Sequence, residues 1–188
     1  LLHNVTRASQ EVRNYSWDRK TNSGTELGAL TVGIIGYGNV GTTLAKKLNS
    51  FGCKVLCYDK YRVEYGDQYA KETSLDDLLQ ASDVISLHTP LNASSYQMVD
   101  ADFLAKVKDG VYLLNLSRGE VVVTKDLVAA IRSQKIAGCA LDVWENEKLE
   151  TLTNEQKKDF EFLTHHKDVI VTPHIGGLTH NSYKRLAE

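Results

Sequence analysis

A chain of 188 residues, 42% hydrophobic and 24% charged, has the composition of an average globular domain and not of a disordered one; it is long enough for one well-cored domain or one domain with a fragment of another. Its 22 Lys and Arg against 24 Asp and Glu leave a formal net charge of −2, which gives no electrostatic reason to expect nucleic acid or an anionic membrane as partner. No apolar run approaches the roughly 20 residues of a membrane helix; the start Leu1-Leu2-His3-Asn4 lacks the basic and apolar regions of a secretory signal, and without an initiating Met it reads as an internal piece of a longer chain.

Leu1, Val5, Ala8 and Val12 recur at spacings of four, three and four, which predicts one apolar face of a helix. Residues 14–28 are polar and contain Gly, a loop signature. Short apolar runs then predict strands over residues 30–35, 54–58, 84–88, 111–116, 136–141 and 169–172. They are rich in Val, Ile and Leu without polar alternation, as strands buried on both faces should be. Helices are expected between them. Ser74 starts one with acids in its first turn, Asp100 starts the helix around Phe103 and Leu104, and Thr124 precedes the run 126–131. Thr153 with Gln156 forms a capping box. Strand and helix alternating in this way mean a doubly wound α/β fold: a parallel sheet with helices on both faces, whose ligands bind outside the carboxyl ends of the strands.

The three cysteines make no disulfide framework. Cys53 and Cys57 are four apart in a segment that reads as extended, hence roughly 13 Å apart, whereas a disulfide needs Cα atoms within about 7 Å. Cys139 reads as a small core residue. With an odd count and no CxxC pair, neither a metal site nor an oxidising compartment is indicated, and a cytoplasmic location is expected.

The segment Thr31-Val32-Gly33-Ile34-Ile35-Gly36-Tyr37-Gly38-Asn39-Val40-Gly41 is a strand entering a GxGxxG turn and then a helix. Gly36 permits the tight turn, Gly38 the approach of backbone to a pyrophosphate, and Gly41 close packing of helix on strand. The helix N-terminus offers free N–H groups and the positive end of its dipole. The second strand ends at Asp59, eighteen residues after Gly41. An acid there accepts hydrogen bonds from the adenosine ribose and repels a 2′-phosphate, favouring NAD over NADP; Lys60 and Arg62 weaken that preference without reversing it. Together these features predict a Rossmann-type dinucleotide site.

Three later segments leave polar groups at strand ends: Asn115-Leu116-Ser117-Arg118-Gly119, Asp142-Val143-Trp144-Glu145-Asn146-Glu147 and Thr172-Pro173-His174-Ile175-Gly176-Gly177. Taken singly, Arg118 reads equally as a packing residue, Glu147 as a loop acid and His174 as a core or helix-start histidine. Jointly they suit reduction of a carbonyl beside a carboxylate. A guanidinium grips a carboxylate bidentately and polarises the reacting oxygen. An imidazole oriented by a neighbouring acid donates the proton.

These blocks, with His88-Thr89-Pro90-Leu91 and Leu141-Asp142-Val143, resemble in order and spacing the signatures of the D-isomer-specific 2-hydroxyacid dehydrogenases from about Thr25 onward. Trp17-Asp18-Arg19-Lys20 before Gly24-Thr25-Glu26-Leu27 resembles the approach to the cofactor domain of D-3-phosphoglycerate dehydrogenases. The resemblance implies that Arg118 binds the substrate carboxylate, His174 is the general acid/base and Glu147 its partner. It assigns Asn39 and Val40 to the pyrophosphate, Asp59 to the ribose, and Thr89, Pro90 and Ser95 to the adenosine side. Leu116, Ser117, Asp142 and Gly176 fall to the nicotinamide half. The implied reaction is reversible hydride transfer between nicotinamide C4 and C2 of a small 2-oxo or 2-hydroxy acid, with D-3-phosphoglycerate as the named expectation.

Two departures from the family pattern stand out. Lys148 follows the catalytic acid where Pro is frequent, and the stretch from Glu147 to His174 is slightly long and carries a charged helix. Both predict altered loop geometry with the chemistry intact. The resemblance also implies a second, substrate-binding domain built from chain on either side, most of it absent here. Residues 1–27 are then a connecting helix and loop, 28–175 the NAD-binding domain and 176–188 the start of the returning segment. Such a chain is expected to bind NAD but to turn over slowly or not at all, and to dimerise as the family tends to, with the apolar face over residues 1–12 contributing. Two alternatives remain: a non-catalytic NAD-sensing interaction module of corepressor type, and formate or phosphonate oxidation within the same superfamily.

Overall fold

The computed structural model describes residues 1–182, so the last six residues of the expected returning segment, 183–188, lie outside the described residues. The aliphatic runs form the strands predicted for them: β1 (Thr31–Ile35), β2 (Lys54–Tyr58), β4 (Val84–Leu87), β5 (Val111–Asn115), β6 (Ile136–Leu141) and β7 (Val169–Val171). A further two-residue strand, β3 (Lys71–Glu72), escapes the sequence reading because both its residues are charged and exposed. The helices are α1 (Val5–Arg13), α2 (Asn39–Leu48), α3 (Leu75–Ala81), α4 (Ala101–Lys106), α5 (Thr124–Arg132) and α6 (Asn154–His165).

All seven strands are parallel, in the order β3-β2-β1-β4-β5-β6-β7. The chain winds from β1 outward through β2 to β3, then returns to place β4 on the other side of β1. The strand order therefore reverses between β1 and β4, and a crevice opens there at the carboxyl ends.

Three predicted helix starts hold. The Ser74 and Asp100 side chains accept from the N–H groups of Asp77 and Phe103, and Thr153 with Gln156 closes a reciprocal capping box on α6. Thr124 is different. It is already the first helical residue, and its N–H and hydroxyl both donate to Glu145, so the helix start is tied to the loop after β6.

The helices are shared unequally between the faces. Leu78 and Leu79 of α3, Phe103 and Leu104 of α4, Leu127, Val128 and Ile131 of α5 and Leu163 of α6 join Ile35, Ile85, Leu87, Leu113 and Leu141 in one core. On the other face Ala45 and Leu48 of α2 cover Val32, Ile34, Val55 and Val84. Beyond α2 that face is open: Tyr112, Leu114, Ala140 and Ile170 line an apolar groove of about 710 Å³, and β5 alternates buried and half-buried residues as a result. Helix α1 forms as the apolar spacing predicts but buries none of its residues. It is held by polar contacts instead, the Arg7 guanidinium reaching Thr21, Asn22 and Asp168.

Candidate active site

Every carboxyl-end loop from β1 to β7 except the one after β3 carries a residue singled out from the sequence. After β1, Gly36 has φ = 95°, and a Cβ there would lie 2.6 Å from the His88 carbonyl oxygen; only glycine suits both the conformation and the space. A Cβ on Gly41 would overlap the Gly36 carbonyl, whereas one on Gly38 would meet no protein atom. Helix α2 starts at Asn39 without a side-chain cap, so its first N–H groups and those of Val40 face an open approach. Val40 itself is exposed.

Asp59, at the end of β2, is held toward that turn: its carboxylate accepts from the N–H of Tyr37 (2.9 Å) and of Tyr61 (2.9 Å). Its own N–H donates to the Tyr65 hydroxyl at 2.8 Å. Tyr37 is fully buried, with its hydroxyl on Asp67 (2.9 Å); burial, with the Asp67 carboxylate beside it, pushes the phenol well above its ordinary range. The Arg62 guanidinium, expected to weaken the NAD preference, is engaged by the Tyr37 carbonyl.

Between these loops and the loop after β4 lies a cleft of about 250 Å³ lined by Gly36, Gly38, Asp59, His88, Thr89, Pro90 and Ser95, among others. That is below the usual volume for a drug-sized ligand and suits one end of a dinucleotide. Thr89 Oγ1 is buried here without any hydrogen-bond partner. Ser95 is buried as well, but its hydroxyl is spent inside the loop, donating to the Pro90 carbonyl at 2.5 Å and accepting from the Asn92 N–H at 2.9 Å. His88 meets Ser86 Oγ at 2.9 Å, and burial lowers its pKa below the ordinary 6.5.

The other three loops converge. His174 Nδ1 lies 3.0 Å from a Glu147 carboxylate oxygen, both side chains about half exposed. A carboxylate only accepts, so Nδ1 carries the proton and Nε2 is left free for chemistry. His174 has φ = 55°, held by its N–H on the Thr172 carbonyl (3.0 Å) and by Asp142. The Asp142 carboxylate accepts from Thr172 Oγ1 (2.6 Å), Ile175 N–H (2.9 Å) and Gly176 N–H (2.6 Å), gripping the chain on both sides of His174. Burial works to raise the Asp142 pKa, but those hydrogen bonds, with His174 nearby, hold it below its ordinary value.

Arg118 is exposed on the adjoining loop. Its guanidinium donates to the Ser117 carbonyl at 2.7 Å and forms no ion pair among the described residues. The loop beneath it is built by Asn115, whose side chain accepts from the Ser117 N–H and hydroxyl and donates to the Arg118 carbonyl. A Cβ on Gly119 would overlap the Trp144 carbonyl, and one on Gly176 would lie 3.5 Å from Leu116. The Arg118 loop therefore abuts both the loop carrying Glu147 and the loop carrying His174. A further cavity of about 370 Å³ lies against the pair, lined by Trp144, Leu149, Phe160 and Val171 among others.

Residues 1–176 match the family model described as D-isomer specific 2-hydroxyacid dehydrogenase, NAD binding domain. The chain belongs to this family. A glyoxylate reductase of Thermofilum pendens is 37% identical over 195 aligned residues, covering 100% of this chain and 55% of that protein. A D-lactate dehydrogenase of Lactiplantibacillus plantarum is 39% identical over 82% of this chain and 48% of its own. Among solved structures, the D-lactate dehydrogenase of Aquifex aeolicus complexed with NAD and lactic acid superposes with a TM-score of 0.92 at 35% identity, covering 99% of this chain and 59% of that one. The chain thus spans about half the length of the curated relatives it matches.

For a 2-hydroxyacid dehydrogenase domain the cofactor is NAD, and the residues present fit it. The uncapped start of α2, the open space at Gly38 and the orphaned Thr89 hydroxyl are the features a dinucleotide would complete. The sequence reading missed the scaffolding around them: Asn115, Thr172, Tyr37 and Tyr65. Asn115 had a local signal, an Asn at a strand end two residues before a Ser, which favours an Asx turn. Thr172 and Tyr37 act across separations of 22 to 30 residues and leave no local trace, and Tyr65 reaches back six residues to the Asp59 N–H with no turn motif to announce it. Among the described residues no helix is long and apolar enough to cross a membrane.

Proposed function

We propose that this chain is the cofactor-binding part of an NAD-dependent oxidoreductase interconverting a small 2-oxo acid and the D-2-hydroxy acid. The observation that carries the reading is the His174–Glu147 pair, 3.0 Å apart, at the same sheet end as the glycine turn. Bound NADH supplies a hydride to C2 of the oxo acid. His174 delivers a proton from Nε2 to the carbonyl oxygen, and Glu147 stabilises the imidazolium that does so. Arg118 swings from the Ser117 carbonyl to take the substrate carboxylate bidentately. Asn39, Val40 and Gly38 hold the pyrophosphate, Asp59 the ribose, Thr89 and Pro90 the adenosine, and Leu116 and Gly176 flank the nicotinamide. Ser95, Ser117 and Asp142 serve the same site by fixing its loops.

In this reading residues 28–175 are the NAD-binding domain, 1–27 the connection into it and 176–188 the start of the return to a substrate domain. The enzyme is a cytoplasmic homodimer, with the exposed Val5 and Val12 of α1 at the contact. The corepressor-type alternative is not favoured, since it gives a paired, half-exposed acid–base couple no task.

The test uses the full-length parent with NADH and a panel of glyoxylate, hydroxypyruvate, pyruvate and phosphohydroxypyruvate, the last probing the D-3-phosphoglycerate expectation. One of these should be reduced, and His174→Ala should lower kcat by roughly 10²–10⁴, while Arg118→Ala should chiefly raise KM. Unchanged kcat/KM in both variants would reject the assignment.

A further inference from the structure

β2 and β4 flank β1, so the loops that follow them stand roughly 10 Å apart at their roots with the glycine turn between. One side-chain contact bridges them. The Tyr61 hydroxyl lies 2.7 Å from Ser94 Oγ, and both residues line the 250 Å³ cleft. The direction of the bond follows from its neighbours: Ser94 Oγ donates to Asn92 Oδ1 at 2.9 Å, so the phenol donates to Ser94. Tyr61 is 70% exposed, which puts its ring on the solvent side of the cleft. Below it lie the groups assigned to adenosine. Tyr61 donates its own N–H to Asp59 (2.9 Å), and Ser94 adjoins the buried Ser95. A nucleoside seated against Asp59 and Thr89 would lie inside the loop that this contact closes.

We propose that Tyr61 and Ser94 form a strap over the adenosine end of the cofactor cleft, which opens to admit NAD and closes again over it. The inference rests on the cleft taking adenosine. A strap closed over both the free and the filled cleft limits association and dissociation equally, and its removal changes rates without changing affinity. One exposed hydrogen bond contributes a factor of about five.

Stopped-flow fluorescence of NADH binding to the chain measures both rates. In Tyr61→Phe, kon and koff should each rise about fivefold with Kd held. Ser94→Ala should do the same, and the double variant should add nothing further, as partners in one contact require. If either rate stays at the parent value, the strap is overturned; a rise in koff alone would make the phenol an ordinary ligand contact. Adenosine monophosphate should compete with NADH. Its failure to compete would overturn the adenosine placement and the strap with it, whereas competition together with unchanged rates in Tyr61→Phe overturns the strap alone.

Discussion

Thr89→Val separates what the cofactor cleft does for binding from what it does for stability. The Thr89 hydroxyl is buried and unpartnered, and a buried polar group without a partner costs about 1–3 kcal/mol. Valine has the same shape with a methyl in its place, so the cost disappears from the free protein. A domain of this size gains roughly 2–4 °C in Tm for each kcal/mol, so the variant should melt roughly 2–12 °C higher. If the hydroxyl completes its hydrogen bonding on bound NAD, the same substitution removes a contact of about 0.5–1.5 kcal/mol and weakens NAD by about two- to twelvefold. Thermal melts with and without NADH read both effects, because ligand stabilisation grows as RT ln(1 + [L]/Kd). The advantage of the variant should shrink as NADH is raised. A higher Tm with unchanged NADH affinity would remove Thr89 from the cofactor site, and an unchanged or lower Tm would refute the orphaned hydroxyl itself.

Gly119→Ala should destabilise the fold by about 3 kcal/mol, because the added methyl overlaps the Trp144 carbonyl and backbone cannot yield as a side chain can; a urea midpoint equal to the parent's would show the two loops are not in register. Burial lowers the His88 pKa from its ordinary 6.5. The unfolded chain therefore binds the extra proton first, and stability is complete above pH 6.5 and falls as pH drops below it toward the folded-state value. Urea midpoints from pH 8 to 5 should fall less steeply for His88→Gln than for the parent, and identical slopes would refute the burial argument. Asp142→Asn offers a side-chain N–H₂ where Ile175 and Gly176 both need acceptors, so kcat of the full-length enzyme should fall while the Kd for NADH holds within about threefold, since the loss is in His174 placement and not in the adenosine cleft; a loss confined to NADH binding would contradict that role.

The sheet was legible because each long strand is an aliphatic run bounded by turn residues and each polar strand end is a short motif. β3 was not, since two charged residues pair only because β2 lies beside them. The cofactor turn was legible down to single glycines, because Gly36 and Gly41 answer to local sterics. Ser95 and Ser117 show where such reading stops. The resemblance puts both beside the cofactor, yet their hydroxyls bond within their own loops, and nothing in the local sequence distinguishes a hydroxyl aimed at a ligand from one aimed at a carbonyl two to five residues away. The Tyr61–Ser94 contact joins residues 33 apart in sequence through a strand-order reversal. No periodicity marks it.

The backbone at His174 sits in the left-handed region at φ = 55°, a conformation that costs a non-glycine residue about 1–2 kcal/mol. Glycine would rest there at ease, so a His174→Gly protein should be at least as robust as the parent while lacking the proposed proton donor. Selection for sturdiness alone would drive this position away from chemistry. Under the role proposed for His174, any attempt to harden the protein by heat challenge must therefore hold position 174 fixed, because durability and proton transfer would pull a single residue in opposite directions.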